Sequence, residues 1–143
     1  MAPYLGGVLA RLALAAIFTL SAAFLGYVLG LFVFLALPGS VPLGSVHPAY
    51  FMLGGASIGA GSGSYLSWTR FREPRRVVVL VLAIAMLSAV LGGWLGLQSA
   101  VGLTQDYWNR PQVSRLLAGV TIAANLIPAT YWLRATWRTK QVL

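Results

Sequence analysis

The chain has 143 residues, 59% of them hydrophobic and 8% charged, with a mean hydropathy of +0.81. Soluble domains run at about 45–50% apolar and about 25% charged, so an ordinary aqueous domain is excluded and one lipid-embedded unit is expected. The lack of cysteine excludes disulfide frameworks, Cys-ligated zinc and iron–sulfur clusters. The net charge of +8 would suggest nucleic acid in a soluble protein. Here the basic residues stand at the ends of apolar runs, so anionic lipids are the expected partner and nucleic acid is not.

A membrane-crossing helix needs about 20 mostly apolar residues, and four runs meet that length. The first covers 12–37 and is closed by Pro38-Gly39. Arg11 with the small residues Ser21, Ala22 and Ala23 has the outline of a signal peptide. The apolar run continues far past the about 7–15 residues of a signal core, so it is read as a retained span.

An uncharged, turn-rich connection at 39–47 (GSVPLGSVH) leads to the second run, 48–68. Its centre is GGASIGAGSGS at 54–64, in which only Ile58 is larger than serine. As a phosphate loop the stretch lacks the Lys-Ser/Thr and the strand-to-helix context such loops need. As a linker it would place irregular backbone at mid-membrane, which is tolerated only inside protein or along a cavity. As a helix it carries Gly55, Gly59 and Gly63 in one row, Ala56, Ala60 and Ser64 in the next, and Ser57 with Gly61 in a third. Such rows let helix backbones approach closely. Gly6-Gly7, the pair Gly26 and Gly30, and the pair Gly92 and Gly96 are counterparts on other runs. Small residues on so many faces predict contacts beyond one bundle. The expected occupants are other membrane protein subunits, or a bound lipid, carotenoid, quinone or chlorophyll-type pigment.

The third run covers 74–101 and follows the basic turn at 70–76 (RFREPRR); the fourth covers 111–133 and follows 102–110 (GLTQDYWNR). Pro48, Pro74 and Pro111 stand at run starts, where a missing N–H costs nothing. Arg11, Arg70, Arg72, Arg75, Arg76, Arg134, Arg138 and Lys140 fall on one side of the spans, and Arg110 and Arg115 on the other. That bias predicts both termini in the cytoplasm. Trp68, Phe71, Trp132 and Trp137 are then expected in the cytoplasmic interface, with Tyr107 and Trp108 at the opposite one. The fold expected is an all-α integral membrane protein. Residues 1–143 would form one domain, a bundle of four transmembrane helices in a bacterial inner membrane.

Candidate chemistry is sparse. Glu73 reads as a helix cap among arginines, and Asp106 as a loop partner of Arg110. Under this topology they lie on opposite membrane faces and cannot work as a carboxylate pair. His47, the single histidine, reads as a loop residue or as one axial ligand to a pigment metal. Asn125, three residues before Pro128, reads as a hydrogen-bonded helix tie or a ligand contact, and Gln98 has the same two readings. No Asp, Glu, Lys, Arg or His stands in the middle of any run, where ion-coupled machinery carries such groups. No metal site and no enzyme are expected. The expected function is a non-catalytic accessory subunit of a larger membrane complex, of a respiratory or photosynthetic kind. The alternative is a small homo-oligomeric carrier or channel for a neutral or lipophilic molecule.

Overall fold

The computed structural model describes residues 2–36, 48–68, 74–101 and 110–140, with side chains placed at 6–36, 49–68, 74–99 and 112–134. They form α1 (Ala2–Ala36), α2 (Pro48–Trp68), α3 (Arg75–Val101) and α4 (Arg110–Lys140). The expected 48–68 run matches α2. By contrast, α1 begins at Ala2 and not near 12, with Pro3 in its first turn, where proline is tolerated. Pro74 is not the first helical residue of α3; its carbonyl accepts from the amides of Val77 and Val78 at 2.9 and 3.1 Å and so opens the helix. α4 continues past 133 to Lys140, carrying the basic tail as helix.

Three helices are long and apolar enough to cross a membrane, over Gly6–Ala36, Arg75–Ser99 and Gln112–Arg134. α2 is shorter, at 21 residues, a rise of about 32 Å. Its glycines and serines leave it outside that apolar set. The packing explains why it can be so polar. α2 touches α1, α3 and α4, and of its described side chains only Tyr50, Ile58 and Leu66 are exposed. A helix enclosed by others is under less pressure to be greasy than one facing lipid.

The helices run up and down. Gly26 and Gly30 of α1 meet Gly55 and Phe51 of α2, while Gly92 and Gly96 of α3 meet Gly119 and Arg115 of α4. α2 and α4 lie on the short diagonal, and α1 and α3 make no contact among the described residues. On α1 and α3 the buried positions are mostly small: Ala15, Thr19, Ala23, Gly26 and Gly30 on α1, and Ala85, Ala89 and Gly93 beside Val81 on α3, while α2 and α4 bury larger side chains such as Met52, Trp68 and Leu116. The large apolar side chains point out, among them Leu14, Ile17, Leu25, Leu29, Leu87, Leu91 and Leu95. This reverses the soluble pattern, as expected where the outer solvent is as apolar as the core and close backbone packing is what association gains.

Both antiparallel pairs depend on absent side chains. A Cβ built on Gly26 would lie 2.8 Å from the carbonyl carbon of Gly55, and one on Gly119 equally 2.8 Å from that of Gly92. Backbone cannot rotate aside as a side chain can. Gly119→Ala should therefore destabilise the bundle by about 1–3 kcal/mol, the usual cost of overpacking. Gly6→Ala, with nothing within 4 Å of its Cβ, should be neutral or stabilising by up to about 1 kcal/mol. Thermal unfolding of the two variants in detergent checks the contrast.

Candidate functional site

Three features occupy different levels of the bundle: a polar hub inside it, a cationic aromatic cluster at one end, and an apolar trough on its outer face. The hub is Asn125 of α4. Its Oδ1 accepts from Trp68 Nε1 at 2.8 Å, from Ser64 Oγ at 3.1 Å and, at the long limit of 3.4 Å, from Thr19 Oγ1. Its Nδ2 donates to the Thr121 carbonyl one turn back at 2.8 Å. Ser64 Oγ also lies 2.9 Å from the Ala124 carbonyl. One amide thus ties α1, α2 and α4 together, and its carbonyl oxygen is fully subscribed by protein donors.

The cationic cluster lies one level outward. Arg11 Nη2 approaches the carbonyl of Trp68, the last residue of α2, at 3.4 Å. Its guanidinium carbon sits 4.8 Å from the centroid of Trp132, and the Trp68 and Trp132 rings are 5.5 Å apart at 50°. A cation is favoured at the orphan carbonyls of a helix C-terminus and over an indole face. Trp68 is 2% exposed, so it points inward to the hub and does not serve the interfacial belt expected of it.

The trough lies between α1 and α2 on the outer surface. It has a volume of about 660 Å³, and its walls are Leu25, Leu29, Val33, Tyr50, Ile58 and Leu66. Its floor is shallow because Gly26, Gly55 and Gly59 bring the two backbones together there. Gly54 opens onto it with nothing within 4 Å of its Cβ position. Ring pairs brace the end away from Arg11: Phe34 with Phe51 at 5.6 Å, and Tyr50 stacked on Trp94 at 6.2 Å.

No family model matches the chain, and no curated protein or solved structure does. Function therefore has to be read from these three features.

The small-residue rows are used largely within the chain. Gly55, Gly59 and Gly63 face Gly26, Gly30, Ala22 and Thr19 of α1; Ala56 and Ala60 are fully buried in the core with Ala124 and Val120 of α4; and Gly61 faces Met86 of α3. Gly92 and Gly96 face α4. The several small faces of α2 thus serve three neighbours in the same bundle, and only the outer edge of the first row borders the trough. Arg75, Arg76 and Arg134 are exposed, at the end of the bundle marked by Arg11 and Trp132. At the other end, Arg115 donates to the Ser99 carbonyl in the last turn of α3, and Gln98 is exposed.

His47, Arg70, Arg72, Glu73, Asp106, Phe71, Tyr107 and Trp108 lie outside the described residues, as do the side chains of Trp137, Arg138 and Lys140. The described residues include no Asp, Glu, His or Cys at all. Reading the sequence alone missed Arg11, Thr19 and Trp68 as site residues. Ser64 and Trp68 share a helix face at a spacing of four, and that spacing was the available signal for the hub.

Proposed function

We propose that all four helices cross the membrane, with both termini in the cytoplasm of a bacterial inner membrane. In this reading the chain is a non-catalytic accessory subunit whose α1–α2 trough receives an apolar helix from a partner subunit. The observation that carries the proposal is the division of labour between inside and outside. The polar atoms of Asn125, Ser64 and Trp68 are committed to one another and to the Thr121 and Ala124 carbonyls. The trough, in contrast, is open, apolar and floored by backbone. A shallow floor of glycine is what a second helix needs in order to approach closely in lipid. The excess of basic residues on one side supports the orientation. The small faces of α2 are taken up largely by α1, α3 and α4 of the same chain, so the trough is the surface that supports a partner.

A second reading draws on a different observation. Ser57 Oγ, Gln112 Oε1 and Thr121 Oγ1 are buried and have no hydrogen-bond partner among the described residues. Such atoms ordinarily hold water, and a homo-oligomeric carrier for a neutral molecule would use them as transient partners.

Mild solubilisation of the native membrane followed by native mass spectrometry separates the two. The accessory-subunit reading expects the 15.2 kDa chain in fixed stoichiometry with larger subunits. Recovery only as a monomer or homo-oligomer contradicts it.

A further inference from the structure

A second trough adjoins the first along the same helix pair. It encloses about 550 Å³ between α1 and α2 and is lined by Gly7, Ala10, Arg11, Leu14, Ala15, Phe18, Leu66 and Ser67. Phe18 and Leu66 belong to both troughs, so the two are continuous. The character changes along it. Arg11 and Ser67 supply polarity at one end, and Leu14, Phe18 and Leu66 line an apolar continuation. From Gly7 to Phe18 the helix rises about 17 Å, close to one leaflet, or half of the about 30 Å hydrocarbon core.

The charge on Arg11 is not neutralised within the described structure. The guanidinium has five N–H donors. Among the described residues its one hydrogen bond is the long one to the Trp68 carbonyl, and its buried Nε has no partner there. No carboxylate is present among the described residues. Glu73, the nearest in sequence to α2, is flanked by Arg70, Arg72, Arg75 and Arg76, which outnumber it. A partly desolvated cation at the head of an apolar channel one leaflet deep has a clear chemical complement. The ligand must carry a negative group joined to a hydrocarbon chain.

We propose that this trough binds one anionic glycerophospholipid, its phosphodiester at Arg11 and one acyl chain laid over Ala15 and Phe18. Ser67, whose hydroxyl donates to the Gly63 carbonyl at 2.6 Å, lines the headgroup end without supplying a donor. Arg11 then does more than mark topology, since it selects lipid by headgroup charge. The headgroup end at Arg11 lies outside the larger trough, and the acyl chain would meet any occupant of that trough at Phe18 and Leu66.

Native mass spectrometry of the full chain in non-ionic detergent tests it with phosphatidylglycerol, phosphatidylcholine and inorganic phosphate as probes. Wild type should retain one phosphatidylglycerol in about tenfold preference to phosphatidylcholine, a ratio in keeping with one charge-assisted contact. Excess inorganic phosphate should not displace the lipid. Arg11→Gln should abolish the preference, while Arg134→Gln, at an exposed arginine outside the trough, should keep it. Ala10→Trp fills the trough from an exposed position and should lower lipid retention with the helical circular dichroism unchanged; it decides the matter if Arg11→Gln does not fold. Equal retention of the two lipids by wild type would overturn the proposal. So would displacement by phosphate, or lipid retention undiminished in Ala10→Trp.

Discussion

Gly55→Leu is expected to separate α1 from α2, whereas Gly54→Leu, one position away, is expected to leave the bundle folded. The Cβ of residue 55 would lie 3.0 Å from the carbonyl carbon of Gly26 and 3.2 Å from the Cα of Gly30, both backbone atoms. Residue 54 has nothing within 4 Å of its Cβ position and opens into the outer trough. Inserting side chain into a packed core costs about 1–3 kcal/mol and more when nothing can yield. Facing rigid backbone, Gly55→Leu should reach or exceed the top of that range, about 3 kcal/mol. Gly54→Leu should lose under about 0.5 kcal/mol, as surface changes do, and should gain some helix propensity over glycine. Denaturation in mixed micelles, followed by circular dichroism, measures both. The same pair separates folding from assembly: Gly54→Leu fills the trough, so it should yield a folded subunit that no longer joins its complex. Gly59→Leu cannot make that distinction, because its Cβ would lie 2.8 Å from the carbonyl carbon of Ala22 in the same chain.

The second large effect is at the hub. Asn125→Leu removes the acceptor of Trp68 Nε1 and the shared acceptor of Ser64 and Thr19. Ser64 keeps the Ala124 carbonyl, so the groups left stranded are the indole N–H and the buried Thr19 hydroxyl, whose bond at 3.4 Å is the weaker loss. Hydrogen bonds between membrane helices average about 0.6 kcal/mol, with a maximum near 1.7. A stranded buried donor costs about 1–3 kcal/mol. The expected loss is about 2 kcal/mol, most of it through Trp68. A double-mutant cycle with Trp68→Phe checks this attribution: the phenylalanine change should be costly beside Asn125 and much cheaper beside leucine. Equal costs in both backgrounds would mean that the Trp68–Asn125 bond contributes nothing.

How much of this could be read in the sequence depends on what each residue answers to. The helices were legible because backbone in lipid has few options and apolar run length fixes the spans; the limits 48–68 coincide with α2. The ends of α1 and α4 were not, since Ala2, Pro3 and the 134–140 tail extend helices beyond the apolar runs. The glycine pairs were legible as packing surfaces from their spacing of four. Their partners were not, because the spacing that joins Gly55 to Gly26 inside one chain is the same that would join two chains. The hub bond of Trp68 and the ring contact of Arg11 were not legible for a related reason. Both stand at a span end, where a generic interfacial role fits any Trp or Arg, and only the crossing of α1, α2 and α4 brings them to Asn125 and Trp132.

A partner helix docked in the α1–α2 trough, as proposed, would lie within cross-linking reach of the trough wall. The chain has no cysteine, so Ile58→Cys places a single thiol on the trough wall, at a side chain that is 59% exposed. Short bifunctional cross-linking in native membranes should shift the chain to one discrete, heavier product containing a different polypeptide, and the product should vanish in the Gly54→Leu background. A product of twice 15.2 kDa would mean that a second copy occupies the trough. No product at all, with the thiol still labelled by a lipophilic maleimide, would mean that it faces lipid. Either result contradicts the account.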